Sequence, residues 1–139
     1  HEAMRLKPVA PILGLQALRD SVVGDVAVPA GTVVISVLRH DSVDDQFIPE
    51  AQAFKPERWL GEGMSPGSAK RISMPFGAGP RMCPGRYLAL QEMKMVLLTL
   101  LTHFDIELVG TADGSEPAER LMFAMAPVGL QMRLRLRGA

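Results

Sequence analysis

Between Arg86 and His103 the chain runs eighteen residues with no glycine or proline, and it enters that run through its one cysteine. The entry loop reads Phe76-Gly77-Ala78-Gly79-Pro80-Arg81-Met82-Cys83-Pro84-Gly85-Arg86. Ala89, Met93, Val96, Leu97, Leu100 and Phe104 recur at helical spacing, which predicts a helix of about 27 Å over Arg86–His103. Met93 and Met95 read as core filler rather than ligands. Pro84 suits a first helical turn, where its missing N–H is not needed. Loop and helix together limit the fold to one in which a thiol sits at the head of a long apolar helix.

A single thiol makes no internal disulfide, and without a second cysteine there is no cysteine-rich structural zinc site. As a thiolate it can still hold one metal ion. A helix N-terminus favours that form, because the dipole and the free backbone N–H groups are positive there. Glycines 77, 79 and 85 strip side chains from the loop, so a flat and bulky ligand can approach the backbone. Arg81, two residues from the thiol, is placed to meet an anionic group on such a ligand. The plain alternative is a buried lone cysteine in a structural loop. A dinucleotide loop is excluded: Gly77 and Gly79 begin a G-x-G, but Met82 stands where the third glycine belongs, and Ser73-Met74-Pro75 makes a poor central strand.

Phe76, Gly79, Arg81, Cys83 and Gly85 stand at the spacing of the haem-binding loop of the cytochrome P450 family, and the chain resembles that family over essentially its whole length. Two further signatures follow in the family's order. Glu2 and Arg5 lie three apart, so on a helix they share a face; alone they would be a surface pair contributing roughly 0–1 kcal/mol. The resemblance implies instead a buried structural triad of Glu2, Arg5 and Arg58. Arg58 belongs to the second signature, Phe54-Lys55-Pro56-Glu57-Arg58-Trp59.

The fold expected on this basis is α+β, mainly α in the whole protein. Residues 1–139 would be the C-terminal haem-binding portion of one cytochrome P450 domain, of the bacterial soluble type. In order they would supply the end of helix K, β-hairpin strands, the meander loop, the Cys loop, helix L and the C-terminal β-strands. The residues themselves agree. Pro8 and Pro11 end the opening helix, and Val9 to Leu18 reads as a strand with a bend. Ser21 to Ser36 is rich in β-branched residues broken by Gly24-Asp25 and by Val28-Pro29-Ala30-Gly31-Thr32, two turn signals. Arg39-His40-Asp41 leads a polar loop, Gly61 to Lys70 is a glycine-rich loop and Gly110 to Pro117 is a polar turn. Leu130, Met132, Leu134 and Leu136 alternate with Gln131, Arg133, Arg135 and Arg137, a half-buried strand whose arginines face solvent.

What the resemblance implies for function is a haem-thiolate monooxygenase. Cys83 would be the metal ligand, holding the iron of haem b (iron protoporphyrin IX), with sulfur's electron donation favouring O–O cleavage. Phe76 would shield the sulfur, Gly79 and Gly85 would admit the ring, Arg81 would pair with a propionate, and His40 would lie at the haem edge. Neither Leu15 nor Gln16 supplies the basic residue that many members carry there, and Arg19 does not replace it. Pro11, Ile12, Leu13, Phe123 and Ala124 would border the pocket for a small organic substrate and O2. Lys70, Arg71, Arg86 and Lys94 would face a ferredoxin- or flavodoxin-like electron donor. No catalytic side chain beyond the haem ligand is expected here, because oxygen-activating residues would lie upstream. Fifteen basic residues balance fifteen acidic ones, so no net field draws the chain to nucleic acid or anionic lipid. There is no run of about 18 apolar residues to span a bilayer, and a lone thiol suits the reducing cytoplasm. The rival from another class is a truncated, non-catalytic piece with Cys83 merely buried. His1-Glu2-Ala3-Met4, which opens as if already inside a helix, fits a piece of a longer protein.

Overall fold

Arg86–His103 is one α-helix in the computed structural model, with the bounds that its unbroken run of helix formers predicts. The described residues are 1–60, 68–122 and 124–138. They divide into two units, His1–Gly77 and Ala78–Ala139.

In the first unit a short helix, α1 (Glu2–Leu6), is followed by strand β1 (Ile12–Gln16). A hairpin comes next, β2 (Ser21–Val23) with β3 (Val26–Val28), joined by the two-residue turn Gly24-Asp25. Gly24 has φ 63°, the left-handed conformation such tight hairpin turns require. β4 (Val33–Val37) returns to pair antiparallel with β1, Ile12 opposite Val37 and Gln16 opposite Val33. Helix α2 (Leu38–Ser42) follows directly. The polar loop expected at Arg39-His40-Asp41 is therefore a helical turn: Leu38 N–H donates to the Pro11 carbonyl at 2.8 Å, and the Ser42 hydroxyl donates to the Leu38 carbonyl at 2.9 Å. A 3-10 turn at Pro56–Trp59 and helix α3 (Ala69–Ile72) complete the unit. Ile48, Ala51 and Ala69 form its core, with Trp59 and Ile72 packed against them. The glycine-rich loop expected over Gly61 to Lys70 lies mostly outside the described residues.

In the second unit the 18-residue helix, α4 (Arg86–His103), runs straight into strand β5 (Phe104–Gly110). β5 pairs antiparallel with β8 (Gln131–Leu136), with a register shift between Ile106 and Leu108. Arg135 bridges Asp105 and Glu107 across this pair, and Arg137 bonds Asp105 at 2.8 Å. A second hairpin joins β6 (Ala118–Leu121) to β7 (Met125–Val128). The fold is thus α+β: among the described residues, helices with four antiparallel two-stranded ribbons.

One expectation changes. Met93 and Met95, expected as core filler, are 39% and 58% exposed, and no residue of α4 is buried. Val96 and Leu97, from the stripe, are each 57% exposed, while Leu88, Leu98 and Leu101 put apolar side chains on the rest of the surface.

Candidate functional site

The buried heart of the first unit is Arg5. Its guanidinium has five N–H bonds, and each meets an acceptor. Nε donates to Glu2 Oε2 at 2.9 Å and Nη2 to Glu2 Oε1 at 2.7 Å. Nη1 donates to the carbonyls of Ser42 and, at 2.6 Å, Ala51; Nη2 also reaches the Ala53 carbonyl at 3.1 Å. Glu2 is equally committed, accepting from Lys55 N–H at 3.0 Å and from the Trp59 indole at 2.8 Å. Arg58 joins at ion-pair distance, Nε lying 3.4 Å from Glu2 Oε1, while its Nη2 donates to the Glu50 carbonyl at 2.7 Å. Burial pushes the Glu2 carboxyl up, but the bonds from Arg5, Lys55 and Trp59 together outweigh it and hold the group at about 2. The structure therefore brings Glu2, Arg5 and Arg58 together, and it ties α1 to residues 42–59.

Sequence reasoning missed Trp59 and the three carbonyls. An indole N–H shut away from water needs an acceptor, and Trp59 in the second signature was the available signal. The carbonyls left none, since any residue carries one.

The second cluster is the cysteine loop, which the unit division crosses. On the first unit's side, Phe76 is half-buried and Gly77, at φ 72°, donates its N–H to the Met74 carbonyl at 2.8 Å. On the second unit's side, Gly79–Arg81 makes a single 3-10 turn, closed by Met82 N–H to the Gly79 carbonyl at 3.1 Å. Gly79 has φ +65°, so a glycine is needed there for backbone reasons. Arg81, Cys83 and Gly85 are exposed. α4 begins at Arg86 with Gly85 as its N-cap, so Pro84 precedes the helix instead of occupying its first turn. A Cβ built on Gly85 would lie 3.8 Å from Cys83 Sγ and touch nothing else, so a side chain there would stand beside the sulfur.

These features suit a flat prosthetic group. The thiol is exposed, glycine at 85 keeps side-chain atoms off the sulfur, and the described residues contain no cluster of three or more His, Cys, Asp or Glu able to hold a metal ion.

The other candidates are spread over both units. His40 is exposed on α2, with Nδ1 2.8 Å from Asp41 Oδ1, a bond that raises its pKa. Pro11 precedes β1, Ile12 and Leu13 begin it, and Ala124 sits at the β6–β7 turn; Phe123 lies outside the described residues. Lys70 and Arg71 are on α3, Arg86 and Lys94 on α4. Arg86 is already engaged, donating to Met82 Sδ at 3.2 Å and to the Tyr87 hydroxyl at 3.3 Å, with its guanidinium 4.7 Å from that ring's centre. No helix among the described residues is long and apolar enough to cross a membrane.

Comparison with known proteins agrees with this anatomy. The profile of the family described as "Cytochrome P450" matches residues 1–134. The chain is 42% identical to human 25-hydroxyvitamin D-1 alpha hydroxylase, mitochondrial, over 76% of its own length and 20% of that protein's. It is 36% identical to the steroid 17-alpha-hydroxylase/17,20 lyase of Felis catus, over 97% of its length and 27% of the relative's. Its fold superposes on the crystal structure of the cytochrome P450DA heme domain with a TM-score of 0.81, at 25% identity, covering 98% of this chain and 30% of that one. It thus spans between a fifth and a third of each. The two enzymes named are mammalian, so the bacterial soluble type expected from the sequence gains nothing from them. By a family match over 134 of its 139 residues, the chain belongs to the cytochrome P450 family.

Proposed function

We propose that these 139 residues are the C-terminal haem-binding portion of a longer haem-thiolate monooxygenase. The observation that carries the reading is Cys83, an exposed thiol inside a glycine loop at the head of α4, with no cluster of protein ligands among the described residues. Cys83 Sγ holds the iron of haem b. Arg81 pairs with a propionate, Phe76 keeps water from the sulfur, and Gly79 and Gly85 leave the ring room to approach. Glu2, Arg5 and Arg58 act at a distance from the chemistry, fixing residues 42–59 in one conformation. His40 reaches the haem edge from α2.

Bound haem supplies the reductive activation of O2 and the insertion of one oxygen atom into a small organic substrate. Pro11, Ile12, Leu13, Phe123 and Ala124 border that substrate. Electrons come from a ferredoxin- or flavodoxin-like protein docking on Lys70, Arg71 and Lys94. Arg86 contributes less to that docking, since Met82 and Tyr87 already hold its guanidinium. The cytoplasm is the proposed compartment, on the strength of the lone thiol; localising a tagged chain decides between it and the mitochondrion named for the human relative.

The test is an absorption spectrum of the full-length protein, reduced and exposed to carbon monoxide. A Soret band strongly red-shifted from that of histidine-ligated haem, and lost in Cys83→Ala, is expected. A band that survives Cys83→Ala, or no haem at all, overturns the assignment. The same spectrum on the 139-residue chain tells whether this portion retains the group unaided.

A further inference from the structure

Met82, next to the thiol, carries the loop's second sulfur, and the proposed haem site gives it no task. It is 38% exposed. Arg86, four residues on, donates Nη1–H to Met82 Sδ at 3.2 Å. The other arm of the guanidinium, Nη2, donates to the Tyr87 hydroxyl at 3.3 Å, and the group lies over the Tyr87 ring, 4.7 Å from its centre. Among the described residues Met82 is the one methionine whose sulfur accepts a hydrogen bond. Met122, at 77%, is twice as exposed and has no such donor. A cation held against a thioether is poorly matched, because that sulfur is a weak acceptor. A sulfoxide oxygen in the same place carries a large negative charge, and a bond to it from a guanidinium belongs to the strong, charge-assisted kind. Arg86 is therefore placed to favour the oxidised form of Met82 over the reduced one.

We propose that Met82 is a reversible oxidation site whose product is held by Arg86, the oxidant being hydrogen peroxide. A lone pair on Sδ attacks one peroxide oxygen, and the S–O bond forms as the O–O bond breaks. The departing hydroxide takes the proton from the transferred oxygen and leaves as water. Sulfur is oxidised by the same electron pair that reduces the peroxide. Arg86 acts on this step in two opposing ways. Its N–H occupies one lone pair on the sulfur, which slows attack only a little, since a bond to a thioether is weak. Its positive charge stabilises the negative charge growing on the departing oxygen, and that is the larger effect. A methionine sulfoxide reductase reverses the change, drawing the electron pair from a dithiol and releasing the oxygen as water. Neither step uses the haem, so the site goes beyond the haem-thiolate reading. What it adds to that reading is a switch on Arg86: the sulfoxide holds the guanidinium to the loop and withdraws it from the face proposed for the electron donor.

The experiment exposes the full-length protein to dilute hydrogen peroxide and follows peptide masses with time, fragmentation assigning each gained oxygen to Met82, to Cys83 or to another methionine. Met82 is expected to gain oxygen several-fold faster than Met122 despite its lower exposure, and Arg86→Leu is expected to remove that lead. A rate at Met82 no higher than at Met122 overturns the proposal, and so does a lead that persists in Arg86→Leu. The second measurement does not depend on that variant folding. Phenylglyoxal, which reacts with free guanidinium groups, should modify Arg86 several-fold more slowly after peroxide treatment, and methionine sulfoxide reductase should restore the rate. An Arg86 equally reactive before and after oxidation overturns the switch. In Met82→Leu, peroxide should leave the Arg86 rate unchanged; a slowing that survives there belongs to Cys83 and overturns it too. The haem-thiolate reading fails separately, by the absence of the red-shifted carbon monoxide band from the untreated protein.

Discussion

The two clusters in this chain are built on opposite principles. Arg5 has all five of its donors satisfied from within, by groups 3 to 48 residues away along the chain, and it and Glu2 are almost wholly buried. Around Cys83 the thiol, Arg81, Tyr87 and Leu88 are exposed, and the helix behind them buries nothing. The first cluster can be inspected as a finished object. The second presents its thiol outward, on a helix that buries none of its own residues. On the proposed function the contrast separates a device that sets conformation from a device that binds, and each prediction below probes one side of it.

The largest effect is expected at Arg5. Arg5→Ala leaves Glu2 buried without its partner and strands the carbonyls of Ser42, Ala51 and Ala53. Breaking a buried pair in this way costs about 3–5 kcal/mol. Arg5→Lys should recover little, because an ammonium has three donors and no planar fork to replace five bonds. Denaturant midpoints on the full-length protein measure both. A loss under about 1 kcal/mol for Arg5→Ala would erase the distinction between the clusters.

The same cluster makes stability depend on acid. The Glu2 carboxyl, ordinarily near 4.5, is held at about 2 in the fold, so the folded state binds its proton less readily than the unfolded state. Its contribution is fully present above about 4.5 and is lost as pH falls through the interval from 4.5 to 2. A shift of that size corresponds to about 3 kcal/mol. Stability measured from pH 6 down to 2 should show this loss, and Glu2→Gln, unable to ionise, should flatten it while lowering the starting value. His40 runs the other way: its bond to Asp41 favours the charged form, so its contribution is present at low pH and fades as pH rises above the ordinary histidine range.

How much of this was visible in the sequence depended on how local each feature is. The bounds of α4, the Gly24-Asp25 turn and the strand at Gln131–Leu136 follow from neighbouring residues, and all three are where the sequence put them, although that strand, expected half-buried, is exposed at every residue. The helical turn at Leu38–Ser42 was read as loop because its evident residues are polar; what holds it is a carbonyl at Pro11 and a hydroxyl at Ser42. The spacing of Glu2 and Arg5 suggested a helix-face pair but said nothing of burial, which is decided 37 to 48 residues later by carbonyls any sequence would supply. The reading of Met93 and Met95 as core filler misled for a related reason. A repeat shows where apolar residues recur, and it does not show that the faces between them are polar; Leu88, Leu98 and Leu101 lie there.

The smallest effects are expected in the cysteine loop, where two glycines that look alike in sequence should respond differently. Gly79 sits at φ +65°, so Gly79→Ala forces a side chain into the left-handed region at a cost of roughly 1–2 kcal/mol, although the space beside it is open. Gly85 sits at φ −80°, an ordinary conformation, and a methyl there meets only the sulfur, at van der Waals distance. Gly85→Ala should therefore leave the denaturant midpoint within about 0.5 kcal/mol of wild type. Its mark should appear in the spectrum: a methyl beside Cys83 Sγ alters the surroundings of the thiolate and moves the Soret maximum of the carbon monoxide complex. Gly79→Ala differs in lowering the midpoint as well. If both variants instead change stability alone, the loop is a structural turn like any other, and the contrast between a binding cluster and a conformational one fails on the binding side.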